Sequence, residues 1–120
     1  MNILVCEDNL MTLKTIEFAL KKAGYDVFKA ENGYQGIRIL GEEKIDLVIT
    51  DINMPYSKGL ELVRHINTKM EPGIPVIVIT GITNEETRAH AAELGARGYL
   101  TKPFDLDVMV DMVKSLSGKN

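Results

Sequence analysis

Two stretches of the chain, "IDLVIT" (45–50) and "IPVIVIT" (74–80), are almost continuously apolar and rich in Ile and Val. A strand with one wet face alternates apolar and polar residues. These two do not, so both belong in the middle of a sheet covered on both sides, the situation of parallel sheets flanked by helices. Shorter runs at "NILVC" (2–6), "DVFKA" (26–30) and "RGYL" (97–100) supply three more strands.

Between the strands the period changes to that of a helix. Leu13, Ile16, Leu20 and Ala23 recur at steps of three and four, and Gly24 stands where a stop is expected. Asn32, followed three residues later by Gln35, has the form of a capping box and predicts a short helix to about Gly41. Leu60, Val63, Ile66 and Met70 mark a third helical stripe. Asn84 can cap a fourth helix that runs to about Leu94 before Gly95, and Asp105 opens a fifth with Met109, Met112, Val113 and Leu116 inward. Five strands thus alternate strictly with five helices. Right-handed crossovers turn that order into a doubly wound α/β fold with a parallel sheet.

At 120 residues the chain is long enough for one core and too short for two, so residues 1–120 are expected to form a single domain. Its 45% hydrophobic and 26% charged content suits a globular protein. The formal charge is −3 with the 14 basic residues scattered, which argues against direct binding to nucleic acid. Cys6 is the only cysteine, so neither an internal disulfide nor a cysteine zinc site is available. No run approaches the about 18 apolar residues that cross a bilayer. The expectation is a cytoplasmic protein without membrane contact.

Sites on open α/β sheets form beyond the carboxyl ends of the strands. Here those ends carry Glu7-Asp8, then Asp51, then Thr80-Gly81, then Lys102-Pro103. Three carboxylates in one cleft repel unless a cation lies among them. With His65 and His90 on helical stretches away from this edge, the ligands on offer are oxygens, which suit a hard ion such as Mg2+. Mg2+ and the Lys102 ammonium would offset the three negative charges and leave room for an added anion, most simply a phosphoryl group. Asp51, at the tip of a central strand, is the best-placed nucleophile toward phosphorus. Thr80 can donate a hydrogen bond to a phosphoryl oxygen, and Gly81 leaves the approach open.

The whole chain resembles a response-regulator receiver domain of two-component signalling, of the chemotaxis-regulator kind. "ILVCEDN" is similar to that family's first strand and acidic pair, "LVITDINMP" to its phosphoacceptor segment, "VIVITG" to its Thr/Ser strand, and "GYLTKPF" to its Lys-Pro corner. The resemblance implies a flavodoxin-like, five-stranded sheet of order 2-1-3-4-5 and a signalling switch, whose only catalysis is its own phosphorylation and dephosphorylation. Asp51 would take the phosphoryl group from a histidine kinase or histidine phosphotransfer protein. Asp8 would bind Mg2+ directly, Glu7 mainly through water, and Asn53 through its backbone carbonyl, with Asp51 completing the set. Thr80 and Lys102 would hold the phosphoryl group, and the Lys102-Pro103 bond would be cis. Thr80 and Tyr99 would switch the face built from the fourth helix, fifth strand and fifth helix. A downstream protein or an output domain would read that face, and two copies could pair through it. The docking side for the kinase would be the first helix and the loops near Asp51.

Two positions depart from the family pattern. Lys58 stands where an acid is common, and Ile82, two residues past Thr80, is apolar. Two other classes of function share parts of the same chemistry. A haloacid-dehalogenase-like phosphatase would need an acid two residues after its nucleophile, where this chain has Asn53. A flavin-binding module would need a phosphate loop after the first strand, where Glu7-Asp8 would repel the phosphate. A phosphorylation-independent receiver-like interaction module is a further alternative. Taken singly, Asp51 reads as turn chemistry, Glu7-Asp8 as a solvated loop, Thr80 as a strand residue, Lys102 as a surface lysine and Tyr99 as an edge residue. Cys6 reads as a small buried hydrophobe, and both histidines as solvent-facing. A native-looking Met1 and a polar end favour a complete single-domain regulator over a receiver cut from a longer chain.

The resemblance implies that Ile82, together with Asn53, borders the phosphate, where an apolar side chain should hinder an attacking water. Following dephosphorylation over time should therefore show slow decay, and a fast one would contradict that role.

Overall fold

Asn2–Cys6 (β1), Asp26–Ala30 (β2), Leu47–Asp51 (β3), Val76–Thr80 (β4) and Gly98–Thr101 (β5) form one parallel sheet in the order β2-β1-β3-β4-β5. The helices are Leu10–Lys22 (α1), Gly33–Glu42 (α2), a helical segment over 62–66 (α3), Glu85–Glu93 (α4) and Leu106–Leu116 (α5). This computed structural model describes residues 1–52, 62–66, 73–81 and 85–117. Leu60, Met70 and Asn84 of the expected helical pattern lie outside the described residues, as do Lys58 and the last three residues.

The side-chain period of two divides the core into two layers. Ile3, Val5, Leu47, Ile49, Ile77, Ile79 and Leu100 pack with Leu13, Ile16 and Leu20 of α1 and with Met109 and Val113 of α5. Their neighbours in the chain, Leu4, Cys6, Val48, Val76 and Val78, face the other way, onto Leu40, Leu62, Val63, Ile66 and Ala91. The continuous apolar runs are explained by this arrangement, because β1, β3 and β4 have no wet face. Each large aliphatic side chain so buried is worth about 1.5–3 kcal/mol.

Among the described residues the helix ends follow the sequence, with one difference. Asn32 Oδ1 accepts from the Gln35 N–H at 2.9 Å, while Gln35 Oε1 reaches back to accept from the Glu31 N–H at 2.8 Å. Gly24 (φ 99°) and Gly95 (φ 108°) take the left-handed conformation that ends α1 and α4. Asp105 caps α5 through the N–H groups of Asp107 and Val108. The difference is at α1, which begins at Leu10 rather than Leu13, capped by Asn9 Oδ1 on the Thr12 N–H at 3.0 Å. Leu10 and Met11 are 56% and 77% exposed and so stand outside the apolar stripe that marks the helix in the sequence.

β1 and β2 keep their expected bounds, while the ends of β3, β4 and β5 shift by one or two residues. Asp51 belongs to β3 because it pairs with Ile79, and Ile45 is buried before the strand starts. The Pro75 carbonyl accepts from the Val48 N–H at 3.0 Å, just ahead of β4. Arg97 donates its N–H to the Val76 carbonyl at 2.8 Å, and β5 proper runs from Gly98 to Thr101.

Gly36 in α2 faces β1 closely. A Cβ built there would stand 2.8 Å from Cys6 Sγ. Overpacking of this kind costs about 1–3 kcal/mol, against about 1 kcal/mol gained in helix propensity. Gly36→Ala should therefore lower the urea midpoint by the equivalent of about 1 kcal/mol. In a Cys6→Ala background, with the sulfur removed, the same change should be neutral or stabilising.

Candidate functional site

The strand order brings β1 and β3 side by side, so Glu7 and Asp51 become neighbours at the carboxyl edge. Both are buried. The Glu7 N–H donates to the Ala30 carbonyl at 2.9 Å, which carries the β1–β2 pairing one residue past the strand and fixes the backbone beneath the side chain. Asp8, next along, is exposed. Carboxylate oxygens of Glu7, Asp8 and Asp51 lie within 4.8 Å of one another.

Lys102 enters from beyond β5. Its backbone N–H donates to the Thr80 carbonyl at 2.7 Å, and the Lys102-Pro103 peptide is cis. From that anchor Nζ donates to Asp51 Oδ2 at 2.6 Å and stands 2.9 Å from Glu7 Oε1. The second approach falls outside hydrogen-bonding angles, so Oε1 has a counter-charge close by but no donor. The other Glu7 oxygen, Oε2, accepts from the Asn9 N–H at 3.0 Å.

These positions perturb both ionisable partners. Burial pushes the Glu7 carboxyl above its ordinary range; Lys102 and the Asn9 N–H pull it back, and the Asp51 charge adds to the rise. For Lys102, burial alone would lower the ammonium, but the Asp51 hydrogen bond and the Glu7 carboxylate outweigh it and hold it above the usual lysine value. An all-oxygen set with one buried oxygen lacking a donor is the kind of site a hard divalent ion fits.

Thr80 is fully buried at the end of β4, paired in register with Thr101. At Gly81 an added Cβ would meet no described atom within 4 Å. Tyr99 is half-buried against the α2–α4 layer, with the Arg88 guanidinium 5.1 Å from its ring centroid. Burial holds its hydroxyl above the usual range, opposed by the Arg88 charge. Asn53 and Ile82 lie outside the described residues. Of the histidines, His90 is exposed, but His65 on α3 is half-buried rather than solvent-facing, since its neighbours Val63 and Ile66 turn the helix into the core. Cys6 is buried beside Thr50, and burial pushes its thiol up to about 12. The residue that sequence reasoning missed is Asn9, which both caps α1 and holds Glu7. The signal was an asparagine just ahead of a helix.

The family model for the response regulator receiver domain matches residues 3–114. The chain belongs to the response-regulator receiver family. It is 39% identical over 104 residues to the aerobic respiration control protein ArcA of Escherichia coli (strain K12), covering 87% of this chain and 43% of that protein. It is 36% identical over 112 residues to the transcriptional regulatory protein GlrR of the same organism, covering 93% of this chain and 25% of that one. The chain therefore spans less than half the length of either relative. Among solved structures, the CheY-like receiver domain protein of Methanospirillum hungatei JF-1 superposes with a TM-score of 0.89 at 27% identity, covering 97% of this chain and 92% of that one. The five-stranded order 2-1-3-4-5 with five helices is that of the CheY-like, flavodoxin-fold receivers. As a receiver, the chain is a signalling domain of two-component systems. No helix among the described residues is long and apolar enough to cross a membrane.

The raised Glu7 carboxyl sets the direction of a pH dependence. Its contribution is fully present below the ordinary value of 4.5 and is lost as pH rises through the raised value. The Lys102 contribution is fully present below 10.5 and is lost only above it. Without divalent metal, the melting temperature should fall as pH is raised from about 4.5 toward neutrality, and Glu7→Gln should flatten that slope.

Proposed function

We propose that residues 1–120 act as one phosphoacceptor receiver, with Asp51 as the acceptor, in a Mg2+-dependent phosphorelay. The observation that carries this reading is the Lys102 ammonium set between two buried carboxylates, 2.6 Å from Asp51 Oδ2 and 2.9 Å from Glu7 Oε1. Both carboxylates that Lys102 meets among the described residues are buried. The ammonium sits where charge would develop if Asp51 attacked phosphorus.

In the proposed step an Asp51 carboxylate oxygen forms a bond to phosphorus while the bond from phosphorus to the donor's leaving atom breaks, its electron pair departing with the leaving group. The donor is a phosphohistidine of a histidine kinase or phosphotransfer protein. Glu7, Asp8, Asp51 and the Asn53 carbonyl are the proposed ligands of Mg2+, which when bound would neutralise charge on the phosphoryl oxygens. Lys102 passes from the Asp51 carboxylate to a phosphoryl oxygen, and Thr80 donates to another. Burial of Asp51 and Thr80 limits the water that could compete.

Thr80 and Tyr99 are the proposed switch pair, and the face of α4, β5 and α5 is the proposed output surface. A downstream protein, an output domain or a second copy of the chain would read it, in a cytoplasmic setting. That ArcA and GlrR are named as control and regulatory proteins supports a receiver that governs an output. The scattered basic residues favour protein contact over nucleic acid for this domain itself.

Intact-protein mass after incubation with acetyl phosphate and Mg2+ tests the reading. One phosphoryl addition is expected, absent in Asp51→Asn and absent without metal. Lys102→Ala should lower the rate by about 100-fold or more. No addition to a folded protein would leave the phosphorylation-independent interaction module as the better account.

A further inference from the structure

α4 is the most thinly buried of the longer helices. Among its nine residues only Ala91 is buried, whereas α1 buries Leu13, Ile16 and Leu20. Helices this short are marginal in water by themselves, so what fastens α4 to the sheet matters. Arg88 is one such fastening, since its guanidinium stands 5.1 Å from the Tyr99 ring centroid. That is inside the roughly 6 Å over which a cation is attracted to an aromatic face. Tyr99 is half-buried and Arg88 is exposed, so the contact lies at the surface with only the ring partly covered.

Register ties the same ring to the strand end below it. Tyr99 pairs with Val78, and Thr101 with Thr80. By pleat parity Val78, Thr80, Tyr99 and Thr101 face one side of the sheet, the side α4 covers. Thr80 and the ring therefore lie on one face of adjacent strands, and the Arg88 guanidinium of α4 stands over that ring.

We infer that Arg88 is a positioning residue that locks the Tyr99 ring and α4 into one arrangement, so that ring and helix move together. The inference deepens the receiver reading by assigning control of the Tyr99 position to a named side chain. It goes beyond that reading in its test, which needs neither metal nor phosphate. Helix propensity offers the competing account and has the opposite sign: alanine is a better helix former than arginine, so on propensity alone Arg88→Ala would firm the helix.

Hydrogen exchange and the aromatic ring NMR signals of the unphosphorylated full chain decide between them, in wild type, Arg88→Ala, Tyr99→Leu and the double variant. Arg88→Ala is expected to move the Tyr99 ring signals and to speed α4 amide exchange by about 2–5-fold, the range of a partly exposed cation–π contact. Amides of α1 and α2 should be unchanged. In the Tyr99→Leu background Arg88→Ala should add nothing. If Tyr99→Leu does not fold, Tyr99→Phe keeps the ring, and there the Arg88→Ala effect should persist. Unmoved ring signals, slower or unchanged α4 exchange, an equal acceleration in the Tyr99→Leu protein, or none in the Tyr99→Phe protein would each overturn the inference. Failure of Asp51 to accept a phosphoryl group would sink the receiver chemistry and leave these readouts standing. Unmoved readouts in a chain that does become phosphorylated would sink only the role of Arg88.

Discussion

Glu7 and Asp51 sit side by side beneath the surface of the carboxyl edge, and Lys102 reaches both. A buried carboxylate stripped of its partner costs about 3–5 kcal/mol, so the geometry that delivers Lys102 is a condition for the edge to exist in this form. That geometry is indirect. The lysine belongs to the segment after β5, with β4 lying between β5 and the strand that carries Asp51. Its backbone is tied to the Thr80 carbonyl, which sets the starting point from which the long side chain crosses the end of β4. Local attraction to Asp51 then selects the end point, and Glu7 Oε1 is left with a counter-charge close by but no donor.

The pleat divides the labour at this edge. Glu7 continues the parity of Ile3 and Val5, Asp51 that of Leu47 and Ile49, and Lys102 that of Leu100, all of which pack on the α1 and α5 side. Thr80 continues the parity of Val76 and Val78, which pack toward α4. The charged cluster thus grows from one layer of the core, while Thr80 and Tyr99 belong to the other. Thr80 touches both worlds, through its carbonyl to Lys102 and through its face of the sheet to Tyr99. The layer behind the charged cluster is anchored by large aliphatic side chains of α1 and α5. The layer behind Tyr99 ends in α4, a helix with one buried alanine, and so has less apolar contact to hold it on that side.

Much of this was legible in the chain itself. The unbroken apolar runs announced central strands, and the Asn32–Gln35 pair, Gly24, Gly95 and Asp105 announced helix ends, because each rests on backbone chemistry local to a few residues. The acidic pair, Asp51, Thr80 and Lys102 could be gathered at one edge because strict alternation of strands and helices sends every strand the same way. The first turn of α1 was not legible, since Leu10 and Met11 point to solvent and break the stripe by which a helix is recognised. Asn9 was overlooked for the same reason, although it caps that turn and holds Glu7. His65 read as solvent-facing and is half-buried, because a residue's place on a helix says little about how closely the next element covers its flank.

What the sequence by itself determined is the alternation of strands and helices and the edge at which the polar residues emerge, consequences of periods of two and 3.6 and of strict alternation. Only the tertiary structure decided which atoms meet there. That Lys102 stands between Glu7 and Asp51, that Gly36 leaves room for Cys6 Sγ, and that Arg88 lies over Tyr99 depend on the packing distance between elements. Those distances are set by the volumes of all the side chains in between, and no local pattern encodes them.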